Sequence, residues 1–206
     1  MTRDEVLTVI QEGGSLADED ISFTDLSDID FKGINLSGVT LTGSRLDRCK
    51  LSACDLTGAF MGEVFAIEAD FSNASMDDVF FQRGDIRAAD FSNTSMVDAS
   101  IFRMEGEGAC FEGANMSGAQ VLKSILPKAS FKGAVLKIAS LKGSELHDCN
   151  FSDADLSGCD MRQVMAQGAV FDGARTDDVK FYGKKPWSGE ADSRDWSEEI
   201  AQFDGE

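Results

Sequence analysis

The chain has 206 residues, 42% of them hydrophobic, with two prolines and twenty glycines, a composition that folds as one domain and marks no linker. A formal charge of −18 excludes non-specific binding to nucleic acid or to an anionic membrane, because phosphate groups would repel it. Its partners are expected to be proteins.

The opening stretch, MTRDEVLTVIQEGG, sets acids beside its apolar residues and does not read as a secretion signal. No stretch approaches the roughly 18 apolar residues of a membrane span, so the expected compartment is the cytoplasm. Thr2 and Glu5 have capping-box spacing ahead of Val6, Leu7 and Ile10, which predicts a short helical cap over residues 1–13.

From residue 14 a period of five takes over. Stepping by five from Leu16 through Ile21, Leu26 and Phe31 to Phe181 gives 34 positions in one register, 30 of them Leu, Ile, Val, Met or Phe. The exceptions are Ala66, Gly106, Ala166 and Thr176. Two residues before each, Ala, Ser, Thr, Cys, Gly or Val stands in 30 of the 34. Five fits neither the 3.6 of a helix nor the 2.0 of a strand, so the chain turns a corner once per unit. Taking every fourth large residue yields Phe31, Leu51, Phe71, Phe91, Phe111, Phe131, Phe151 and Phe171. Twenty residues therefore make one circuit of a four-sided coil. Residues 14–183 are expected to form about 8.5 coils, a rod roughly 40 Å long at about 4.8 Å per coil. Glycines recur two places after the large residue, where a corner needs permissive backbone. Ala66, Gly106 and Ala166 fall on one side, and each has a large partner two positions earlier, Val64, Met104 or Val164, which returns the lost volume.

These repeats resemble the pentapeptide-repeat family, whose motif A-(D/N)-L-x-x is met by ADFSN at 69–73 and 89–93, ANMSG at 114–118 and ADLSG at 154–158. The resemblance covers residues 14–183. It implies an all-β fold, a right-handed quadrilateral β-helix about as thick as duplex DNA. Beyond it, residues 184–206 form an acidic tail or cap. Trp187, Trp196 and Phe203 could cover the last coil with 194–203 helical, or the segment could be a solvated tail.

The sequence holds no chemistry that an enzyme would need, and it calls for no cofactor or metal. His147 stands alone in an outward slot. Cys49, Cys54, Cys149 and Cys159 occupy the small inward slot and read as core residues, while Cys110 lies outward with nothing basic beside it in sequence. Paired acids such as Asp77-Asp78 and Asp177-Asp178 lack the special turn of a calcium loop and read as solvated.

Function is therefore sought on the outer walls. The Leu16 side carries 8 acids and 2 bases, the Leu26 side 9 and 4, and the Phe31 side 6 and 3, but the Ile21 side has 4 acids against 6 bases. The same Ile21 side points Phe60, Phe80, Phe102 and Leu122 outward, with Phe65, Ile67, Ile125 and Met165 around the corner. Phe60, Phe80, Arg83, Phe102, Arg103, Leu122 and Lys123 are the candidate partner-binding residues, apolar and basic together as in binding hot spots. The expected function is a non-enzymatic protein–protein interaction rod that binds a protein partner or a second copy of itself. The family resemblance implies an alternative, since its gyrase-binding quinolone-resistance branch presents an acidic, DNA-sized rod to a topoisomerase. The charge and the three acidic walls agree with it; the uninterrupted pentads and the polar, acidic tail depart from that branch.

Overall fold

Backbone hydrogen bonding builds the molecule storey by storey. The computed structural model describes residues 1–183 and 185–188. Each storey pairs with the next in parallel, bridge partners twenty residues apart, through hydrogen bonds between residues nineteen or twenty-one apart: Phe91 donates its N–H to the Cys110 carbonyl at 2.7 Å, Asn93 to Glu112 at 2.8 Å, and Asp90 to Ala69 in the storey below at 2.9 Å. A fourth bond, from Thr94 N–H to the Phe91 carbonyl at 3.3 Å, closes the corner. Bridges such as Asp70↔Asp90↔Cys110↔Ser130↔Asn150 climb each wall. This is the square solenoid that the period of five demands.

The core is the set of central columns. Phe71, Phe91, Phe111, Phe131, Phe151 and Phe171 stack with centroids 4.8 to 5.0 Å apart and planes within 5°, so the strand spacing sets the ring spacing. In the Leu26 column, Val64 and Met104 are fully buried beside Ala66 and Gly106, and Val164 is buried beside Ala166. A methyl added at Gly106 would come within 2.6 Å of Leu126 and 3.0 Å of Ile86. Neighbouring storeys already fill that space, and the core is close-packed where single residues shrink.

The corners differ from the glycine rule. Every corner residue takes a left-handed φ, and most are not glycine: Asp28, Arg48, Asn73, Asp98 and Lys128 among them, and also Phe23 at +55° and Ile138 at +50°. At some corners glycine also leaves room for the side chain of the storey below. At Gly38 and Gly118 a Cβ would overlap a carboxylate oxygen of Asp18 and Asp98, the corner residues one storey below. Steric occupancy from the neighbouring storey, as much as φ, sets where glycine stands.

The Asp or Asn of the repeat motif has a structural task. Its carboxylate or amide oxygen accepts the backbone N–H two residues on, as in Asp70 to Ser72 (2.9 Å), Asp90 to Ser92 (2.8 Å) and Asn150 to Ser152 (2.9 Å). These Asx turns bend the chain toward the corner. Ser hydroxyls add bonds to Asp20, Asp25 and Asp155, and those donors hold the three carboxyls below the usual carboxylate range.

The first coil is covered by helix α1 (Arg3–Gln11), which begins in a complete capping box between Thr2 and Glu5 and buries Val6 and Ile10. Arg3 ties it down by donating to the carbonyls of Asp25 and Ser27 at 2.8 and 2.9 Å. At the other end a 3-10 turn, Pro186–Ser188, brings Trp187 edge-on to Phe171 and Phe181, both at 5.5 Å. Trp196, Phe203 and the helix expected at 194–203 lie outside the described residues. No helix among the described residues is long and apolar enough to cross a membrane.

Candidate functional site

On the Ile21 wall the backbone runs straightest. Strands β1 (Phe60–Gly62), β2 (Phe80–Gln82), β3 (Ser100–Phe102) and β4 (Gln120–Leu122) form one parallel four-stranded sheet in that order, whereas elsewhere the storeys meet in single bridges. The slot before each central residue here is Phe60, Phe80, Ser100 or Gln120 rather than Asp or Asn, so no Asx bond folds these pentads inward. The central residues Met61, Phe81, Ile101 and Val121 are buried, and the residues flanking them face out.

Register places the four apolar predicted residues in two columns that flank the buried central one. Phe60 pairs with Phe80 along one edge, ring centroids 6.5 Å apart and tilted by 52°. Phe102 pairs with Leu122 along the other. The apolar groups therefore run diagonally over four storeys. Phe60 is 53% exposed, while Phe80, Phe102 and Leu122 are half-buried.

Arg83, Arg103 and Lys123 stack as the corner residues of successive storeys, at φ of +54°, +54° and +50°. The Arg103 guanidinium lies 5.0 Å from the Phe102 centroid, a geometry that keeps the cation over the ring face. Around the corner, Phe65, Arg83, Gly84, Asp85, Arg103 and Glu105 line an open groove of about 410 Å³. Asp85 is held by Arg87 at 2.6 Å. Neither Arg83 nor Arg103 has a carboxylate partner among the described residues, and both stand exposed. Phe65 and Ile125 are 44% and 43% exposed beside them, and Arg45 covers Phe65 from 5.6 Å. All seven predicted residues thus share one continuous wall, on which rings stand beside guanidinium groups that no carboxylate of the described residues pairs.

Several features escaped the sequence reading. Asp47, counted there as a wall acid, is only 3% exposed: one oxygen accepts the Ile67 N–H at 3.0 Å and the other binds Arg45. Asp77 likewise accepts from the Ser95 hydroxyl at 2.6 Å and the Val97 N–H at 2.8 Å, so it links two storeys rather than standing solvated. Such acids sit one place after the central residue, and an N–H of the next storey within reach is their signal. Among the described residues no group of His, Cys, Asp and Glu is arranged to hold a metal ion. Burial pushes the thiols of Cys49, Cys149 and Cys159 up to about 12 and that of Cys54 to about 11, and raises that of half-buried Cys110.

Eight copies of the pentapeptide-repeat family model match the chain, within residues 20–58, 51–93, 67–100, 114–153 and 144–181. The chain belongs to the pentapeptide-repeat family. Among solved structures of this family it is similar to HetL of Nostoc sp. strain PCC 7120, involved in heterocyst differentiation regulation, at 20% identity and a TM-score of 0.43, over 87% of this chain and 94% of that one. It is also similar to full-length QnrB1, a plasmid-mediated fluoroquinolone resistance protein, at 20% identity and a TM-score of 0.40, over 77% and 92%. A third is AT2G44920 of the Arabidopsis thaliana thylakoid lumen, at 23% identity and a TM-score of 0.40, over 54% and 64%. No curated protein matches significantly.

Proposed function

We propose that this pentapeptide-repeat protein is a non-enzymatic interaction rod that docks a protein partner on the Ile21 wall. The observation that carries the reading is the coincidence, on one sheet, of outward rings with Arg83 and Arg103, two guanidinium groups that no carboxylate of the described residues neutralises. Exposed apolar groups beside unpaired cations are what binding hot spots are made of, and elsewhere the fold keeps most of its rings inside. The raised thiols and the isolation of His147 support the absence of catalysis. Replacing Phe80 and Phe102 with Ala should abolish capture of the partner, or self-association seen by sedimentation, without changing the fold by circular dichroism. Unchanged binding would remove the wall from consideration.

A second reading, mimicry of duplex DNA toward a type II topoisomerase such as DNA gyrase, draws on the total charge of −18. Charge density decides against placing it first. Residues 14–183 carry 27 acids and 15 bases, a net of −12, over a rod of roughly 40 Å, about half the one charge per ~1.7 Å of B-DNA. The Ile21 wall is net +2, a face duplex DNA does not have. A supercoiling assay with purified gyrase separates the two readings: inhibition or drug protection at micromolar protein would promote mimicry to first place.

A further inference from the structure

The outward groups of the Ile21 wall form a slanted line with unlike edges. Phe60 and Phe80 stand in the column before the buried central residues, Phe102 and Leu122 in the column after. From first to last the line climbs three storeys, about 14 Å, and crosses two residues, about 7 Å. Its length is therefore about 16 Å, inclined roughly 25° to the rod. The corners on its two sides carry charge of opposite sign. Arg83 and Arg103 stand exposed along one, Asp78 and Asp98 along the other.

These dimensions select among the segments that could lie there. The wall cannot recruit an extra strand, since its backbone N–H and C=O groups already bond the storeys above and below. Only side chains are offered. Along the slanted line one storey passes about every 5.3 Å. An extended segment turns a side chain to the wall every second residue, about 6.6 Å, and slips out of step. An α-helix turns once in about 5.4 Å and stays in step. Its apolar stripe at i, i+4, i+7 and i+11 is about 16.5 Å long, the length of the line.

Resting on the docking reading above, we propose that the wall seats one amphipathic α-helix of a partner protein. Its apolar stripe lies on the line from Phe60 to Leu122, its acidic flank over Arg83 and Arg103, and its basic flank toward Asp78 and Asp98. The unlike edges also fix which way the helix runs, because turning it end for end would set like charge on like. Among the described residues the sole α-helix is α1, whose apolar residues Val6 and Ile10 are already buried on the first coil. No described helix of a second copy therefore fits the seat.

The probe is a phage-displayed library of random peptides about four helical turns long, selected on the immobilised full chain. Selected peptides are then synthesised and measured by fluorescence anisotropy and circular dichroism. They should repeat apolar residues at i, i+4, i+7 and i+11, carry acids along one flank, and gain helix on binding. Affinity should fall about tenfold or more with Phe80→Ala plus Phe102→Ala, and likewise with Arg83→Glu plus Arg103→Glu. The second pair keeps the fold intact, since Glu63 and Glu68 already hold the same corner conformation at φ of +55° and +57°. Exchanging the peptide's acidic flank for Lys should restore binding to that charge-reversed chain. Peptides that need Phe80 and Phe102 but bind in extended form, or ignore the charge reversal, overturn the helix seat and leave the docking reading standing. Peptides that bind the double-alanine chain equally well place the interaction elsewhere, and both readings fall. Selection of no peptide overturns the helix seat alone, because partner capture tests the docking reading separately. Self-association that Phe80→Ala with Phe102→Ala abolishes in sedimentation makes a second copy the occupant, which also overturns this proposal.

Discussion

The Phe31 wall and the Ile21 wall share one backbone unit and put aromatic rings to opposite uses. Behind the Phe31 wall six rings stack, each within 5.0 Å of the next, the five from Phe71 to Phe151 sealed by the coil and Phe171 partly buried at its end, while the residues facing out are largely acids, Ser and Gly committed to turns. On the Ile21 wall the interior is mixed, Met61, Phe81, Ile101, Val121, and further rings stand outside. Regularity within the coil follows from volume, which every storey must match. Irregularity outside is unconstrained by packing, so it is there that a particular partner can be specified.

The strongest challenge to this contrast is a matched pair of truncations. Phe111→Ala removes two stacked contacts from a sealed column and should cost about 3–5 kcal/mol, whereas Phe80→Ala should cost below about 1 kcal/mol and act on binding instead; urea denaturation measures both. Equal losses would mean that the outer rings are structural. Next, Gly118→Ala puts a methyl into the space of the Asp98 carboxylate at a φ of +72° and should destabilise by about 2 kcal/mol. The reverse change at Ile138, 74% exposed at φ +50°, should stabilise: Ile138→Gly relieves a β-branched residue in the left-handed region and is expected to gain about 1 kcal/mol in the same titration.

Smaller effects come from the turns. Asp20, Asp25 and Asp155 are held below the ordinary carboxylate range chiefly by Ser hydroxyls, and Asp160 by Arg162. A lowered folded value contributes stability that is complete above the unfolded pKa of about 3.9 and is lost as pH falls through the folded value. Stability should therefore hold down to about pH 4 and decline below it. Asp155→Asn keeps an acceptor for the Ser157 N–H, as Asn150 does for Ser152, and should flatten that decline in an acid titration followed by circular dichroism. Least of all, a thiol reagent at neutral pH should label only Cys110 in the native chain, and slowly, since burial raises every thiol and leaves that one alone half-exposed; rapid labelling of any other would mean that the coil opens.

Almost all of the architecture was legible because it repeats. Thirty-four units in one register average out local exceptions, and the volume swaps at Ala66 and Gly106 were readable as compensations within a column. The direction of Phe60, Phe80, Phe102 and Leu122 followed from the same count. What was hidden depends on neighbours twenty residues away rather than one or two. The burial of Asp47 needs the Ile67 amide above it, and the choice of glycine at 38 and 118 needs Asp18 and Asp98 below. That no carboxylate of the described residues pairs with Arg83 or Arg103 depends on where Asp85 turns, which composition does not record.

Bridging partners one full circuit apart make the molecule a kind of vernier. Duplicating twenty residues would lengthen it while leaving every face in line, but excising a single pentad would rotate all that follows by a quarter turn, swinging the cationic flank of one half into line with an anionic flank of the other. Phase, rather than residue identity alone, is thus what selection has to preserve along this molecule.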